Sequence, residues 1–79
     1  MTKTYNEIYI QTRRALKEAG IEAYALEARL LVSQAAGKTQ AALMRDISLY
    51  SADGLDEKVA GYVARRLAGE PVAYIVNAW

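Results

Sequence analysis

Seventy-nine residues, 53% of them apolar, with ten basic and nine acidic side chains and a formal charge of +1, make one small domain. It is too short for a complete doubly wound cofactor enzyme and too nearly neutral for a dedicated nucleic-acid binder. Cysteine and histidine are absent, which excludes a disulfide framework, thiolate chemistry and the usual nitrogen and sulfur ligands of a zinc site.

The start, Met1-Thr2-Lys3-Thr4-Tyr5-Asn6-Glu7, lacks the apolar stretch of a signal peptide, and no apolar run approaches the roughly 20 residues that span a bilayer, so a cytoplasmic protein without membrane contact is expected. Thr4 followed three residues later by Glu7 has the form of a capping box, and Gly20 stands where a helix over 5–19 would stop. Tyr5, Ile8, Tyr9, Thr12, Leu16 and Ala19 form one stripe of that helix. A second helix over 24–36 is apolar on most of its circumference and predicts the central, buried element, closed by Gly37. Thr39 then offers a cap for a short helix over 40–45 carrying Ala42, Leu43 and Met44. Residues 46–54 are mixed and turn-like, and a fourth helix over 55–68 turns Leu55, Val59, Tyr62 and Val63 inward before Gly69.

Gly69 suits the left-handed position past a helix, and Pro71 cannot continue one. Val72, Tyr74, Ile75 and Val76 are strand formers. The expectation is an all-α fold, a small antiparallel bundle of four to five helices over 1–70, with 71–79 an extended connector that stays out of the bundle and leads into a further domain beyond Trp79.

Little here can catalyse. The glycines are isolated and four of the five fall at predicted helix ends. Gly61, inside the fourth helix, predicts a close helix crossing. Asp56 and Glu57 are sequence neighbours, pointing about 100° apart on a helix, and read as first-turn charges. Ser33, Ser48 and Ser51 have no histidine to activate them. No catalytic, cofactor-binding or metal-ligating residue is therefore assigned.

Two surfaces stand out. Ile10, Arg13, Arg14 and Lys17 fall within about 100° of one another opposite the apolar stripe of the first helix. An apolar side chain ringed by cations can be a partner site, and the alternative is a solvated face with one exposed Ile. Arg66 lies close to the centre of the inward stripe of the fourth helix, so its charge must pass the helix end, meet the last-turn carbonyls or find a carboxylate.

The ending Arg65-Arg66-x-x-Gly69-Glu70-Pro71-x-x-Tyr74-Ile75, together with Leu26-Glu27-Ala28-Arg29-Leu30-Leu31, resembles the N-terminal domain of the HemK-type peptide chain release factor glutamine methyltransferases. Asn77 stands where that family usually has Gly, and the family's next Glu-Phe pair would lie beyond Trp79. The resemblance implies a substrate-holding helical domain of an S-adenosylmethionine-dependent enzyme that methylates the glutamine of the Gly-Gly-Gln loop in peptide chain release factors. Its partners would be the release factor and its own catalytic domain, with the cofactor held by the latter and none by this segment. Glu27, Arg65, Arg66, Gly69, Glu70, Pro71 and Tyr74 become structural or interdomain residues on that reading, and Arg66 is expected to pair with Glu27. The competing class is a free-standing helical interaction module for protein or nucleic acid, the latter disfavoured by the charge of +1.

Overall fold

The structure is a computed structural model that describes residues 2–76. Five helices follow one another, α1 Tyr5–Glu18, α2 Tyr24–Ala36, α3 Gln40–Arg45, α4 Leu55–Leu67 and α5 Val72–Val76. Among the described residues there is no strand, only an isolated antiparallel bridge between Thr4 and Tyr50. None of the helices is long and apolar enough to cross a membrane.

Each boundary has a local cause. Thr4 caps α1 through its side chain and Glu7 answers on the Thr4 backbone, so the capping box is complete. The other free amides of the first turn are taken by a distant segment: Tyr5 N–H donates to the Leu49 carbonyl at 3.0 Å and Asn6 N–H to the Ile47 carbonyl at 2.8 Å. Ser51 adds both its N–H and its hydroxyl to the Lys3 carbonyl, at 2.9 and 2.8 Å. The turn-like stretch after α3 is thus a backbone brace on the start of α1, which satisfies donors that would otherwise lack partners. Thr39 caps α3 through its hydroxyl alone, which accepts from the Ala42 N–H, and Gly37 closes α2 at φ 68°, a conformation that disfavours any residue with a Cβ.

α2 is the hub, in contact with each of the other four helices. Its late residues Val32 and Ala35 share one buried cluster with Ile8 early in α1, with Leu55 and Val59 early in α4, and with Leu43. Its early residues Ala28 and Leu31 share a second cluster with Leu16 late in α1 and with Ile75. α2 therefore runs antiparallel to both α1 and α4. Tyr62 and Val63 pack against both clusters and join them into one core.

The connector expectation is overturned for residues 72–76. They form α5, and Ile75 is fully buried beside Leu16, Ala28 and Leu31, with Val72 and Val76 packed around it. Pro71 both blocks the continuation of α4 and opens the new turn, since the amides of Tyr74 and Ile75 point back to its carbonyl at 3.0 and 3.4 Å. Val72, Ile75 and Val76 have the i, i+3, i+4 spacing of a helix face, and burying that face outweighs the strand preference of the individual residues. Residues 77–79, the rest of the expected connector, lie outside the described residues. Gly61 is a further correction: it is exposed, and a Cβ placed on it would meet nothing within 4 Å, so no helix crosses closely there. Ala19 and Leu26 also end at the surface rather than in the core.

Candidate functional site

The turn at residues 19–23 is short, so α2 folds back along α1 and its first residue, Tyr24, lands beside the last two turns of α1. On that outer face Ile10 is 43% exposed, and Arg13, Arg14 and Lys17 are all exposed. With Glu18 at the edge, the four line an open depression of about 610 Å³. Every lining residue comes from α1, so it has a floor and no facing wall.

The cations do not neutralise locally. Lys3 meets Asp56, Lys38 and Arg45 both meet Asp46, Arg65 meets Glu70 and Arg66 meets Glu27. Among the described residues Arg13, Arg14 and Lys17 form no such pair. Instead the Arg13 guanidinium carbon and the Lys17 ammonium sit 5.5 and 5.6 Å from the centroid of the Tyr24 ring. Arg13 and Lys17 are like charges at i, i+4, an arrangement that costs a helix about 0.2–0.5 kcal/mol, and the negative face of the ring offsets that cost. Tyr24 is the residue that sequence reasoning missed. Its position on the wheel groups it with the apolar surface of α2, and the signal that could have found it is the short α1–α2 connection, which obliges position 24 to lie against positions 13 and 17.

The second group, Glu27, Arg65, Arg66, Gly69, Glu70, Pro71 and Tyr74, is a closure. Glu70 N–H donates to the Arg65 carbonyl and Gly69 N–H to the Arg66 carbonyl, both at 3.1 Å, with Gly69 at φ 107°. This is the double hydrogen bond of a Schellman stop. Side chains repeat the tie, because the Arg65 guanidinium donates to the Glu70 carboxylate across the same turn. Arg66 points the other way, its Nε donating to Glu27 Oε1 at 2.7 Å, with side-chain exposures of 24% and 17%. One hydrogen bond joins them, not the two-pronged contact the guanidinium could make. Six of the seven residues thus stop α4, start α5 and bolt α4 to α2. Tyr74 faces outward, 71% exposed.

Two other clefts formed by the described residues are small for a ligand. The clefts at the α1–α4 seam and beside Gly54 hold about 190 and 230 Å³, below the roughly 300–1,000 Å³ of ligand pockets. No group of three or more Asp or Glu among the described residues is arranged to hold a metal.

Compared with known proteins, residues 7–76 match the family model of the PrmC N-terminal domain. No curated protein matches, and no solved structure does.

Proposed function

The chain belongs to the PrmC N-terminal domain family, the N-terminal domain of HemK/PrmC release factor glutamine methyltransferases, and on that premise we propose that it is the part of such an enzyme that holds the substrate protein while a separate catalytic domain methylates it. The observation that carries this reading is the family match, which spans residues 7–76 and so takes in nearly the whole helical domain. The substrate is a peptide chain release factor, methylated on the glutamine of its Gly-Gly-Gln loop in the cytoplasm. The methyl donor is S-adenosylmethionine.

That cofactor does not fit these five helices. Its family loop needs several glycines between a strand and a helix, whereas the positive-φ glycines here, Gly20, Gly37, Gly54 and Gly69, stand singly at helix ends. Cofactor binding and methyl transfer belong to the catalytic domain. The contribution of the helical domain is energetic: contacts made far from the reacting glutamine hold a large substrate in register, so that the bound glutamine reacts as if at high local concentration.

The test compares two substrates, an intact release factor and a short peptide containing Gly-Gly-Gln, each methylated by the catalytic domain with and without this module. The module should raise kcat/KM for the intact protein and leave the peptide unchanged. Equal effects on both substrates, or none on either, would remove the substrate-holding role.

A further inference from the structure

We propose that Tyr24 and the face of α1 bearing Ile10, Arg13, Arg14 and Lys17 form a single docking surface for an acidic protein segment, one that places an apolar side chain on Ile10 and carboxylates on the cations. The proposal rests on the substrate-holding reading above and names the chemistry of the surface that would be held.

Charge complementarity selects the occupant. Three cations share one helix face and have no carboxylate partner among the described residues, while five of the other seven basic side chains are paired and the remaining two, Arg29 and Lys58, stand on different helices. Tyr24 explains how two of them are held ready. Its ring lies 5.5 Å from the Arg13 guanidinium and 5.6 Å from the Lys17 ammonium, and its body packs against the cluster containing Leu16 and Ala28, so the core fixes the plate on which the cations rest. A π face attracts a cation without consuming its N–H donors. Arg13 keeps a planar fork suited to a carboxylate, and Lys17 keeps a point charge beside it. Side chains already held in place lose less freedom on binding. Tyr24 is accordingly a positioning residue, and the cations make the contact.

Shape agrees with a protein occupant. The depression of about 610 Å³ is lined by one helix only, so a second wall must come from whatever binds. Ile10, 43% exposed at its end, supplies apolar contact that a free small anion would not use. Glu18 on the rim repels carboxylate and limits the register in which an acidic segment can lie. A nucleic-acid strand fits less well, because three cations within two helical turns meet few phosphates and the whole chain carries only +1.

The experiment measures binding of the chain to an intact release factor between about 0.1 and about 1 M salt, a range over which the screening length shrinks from about 10 to about 3 Å. Affinity should fall as salt rises. Tyr24→Leu, and separately Arg13→Glu with Lys17→Glu, should weaken binding about tenfold or more and flatten the salt dependence. Tyr24→Phe, which keeps the ring face, should bind as the parent does, and so should Lys58→Glu, a charge reversal elsewhere on the surface. Arg14→Glu alters only an exposed side chain and should weaken binding even if Tyr24→Leu proves unstable. Binding that survives the Arg13, Arg14 and Lys17 reversals within about threefold overturns the docking surface and leaves the substrate-holding role standing. Failure of the unaltered chain to bind the release factor at all removes both. Tighter binding to a single-stranded RNA than to the release factor, lost on the same reversals, assigns the face to nucleic acid and overturns the proposal.

Discussion

Arg66→Ala should be among the most damaging single surface changes in this domain, and the size of the loss follows from the pair it breaks. The Arg66 Nε to Glu27 Oε1 hydrogen bond is 2.7 Å long, and the two side chains are 24% and 17% exposed. An exposed ion pair contributes about 0–1 kcal/mol, whereas stripping one partner from a buried pair costs about 3–5. This pair lies between those limits. After the substitution Glu27 keeps its low exposure and loses its cation, but it stands in the first turn of α2, where the helix dipole returns part of the loss. A destabilisation of about 2–3 kcal/mol results. Set against a total of about 4–12 kcal/mol for a domain this size, it should lower the midpoint of thermal unfolding by roughly 10–20 °C.

Urea denaturation followed by circular dichroism on Arg66→Ala, Glu27→Ala and the double variant gives the coupling directly, expected at about 1–2 kcal/mol. Arg65→Ala is the internal control, since Arg65 and Glu70 are each 44% exposed and that pair should be worth well under about 1 kcal/mol. A coupling below about 0.5 kcal/mol, or an Arg66→Ala loss no greater than that of Arg65→Ala, would refute the reasoning.

Three further outcomes are expected. Gly61→Ala should stabilise the domain by about 0.5–1 kcal/mol, because the site is helical, exposed and open; a loss in urea midpoint would mean that a neighbour approaches it after all. Ile75→Ala should cost about 2–4 kcal/mol while Tyr74→Ala stays within about 0.5, since only the former empties a core position, and equal effects in urea melts would argue against α5 docking. Stability should fall in acid. The Thr4 backbone amide and hydroxyl hold the Glu7 carboxyl below its ordinary value, and hydrogen bonds from Arg45 and then Lys38 hold Asp46 well below the usual carboxylate range. The unfolded chain therefore binds more protons, so this stability is fully present above the unfolded values near pH 4 and drains away as pH drops through the folded ones. Urea midpoints across that range should show the slope and Asp46→Asn should reduce it, whereas a flat profile would contradict it.

Most of α1 to α4 was legible because local rules and burial agree there. Thr4 with Glu7, Thr39, Gly37 and Gly69 each state a boundary in side-chain chemistry or backbone freedom, and the apolar stripes lie between them. The stretch from Asp46 to Gly54 shows only turn character in its sequence because its task, accepting the free amides of α1, is carried by carbonyl groups at Ile47 and Leu49 that any sequence possesses. Of the candidate partner site, the α1 residues were visible as a helix-face pattern. Tyr24 was not, since its contribution depends on where α2 turns back.

α5 marks where propensity stops being informative. Five residues form less than about one and a half turns, too few for intrinsic helix preference to decide anything, because nucleation costs more than so short a segment returns. What stabilises it is the burial of Ile75 with Val72 and Val76 against α1 and α2, a contact that exists only once those helices have met. The same assembly explains the concentration of recognisable residues at 65–71. Arg65, Gly69 and Glu70 end one helix, Pro71 starts the next, and Arg66 fixes the corner to Glu27. The most recognisable block of the sequence therefore shapes the corner of the fold, and the face that we propose meets the substrate lies on α1, in a pattern of charge that the fold itself does not require.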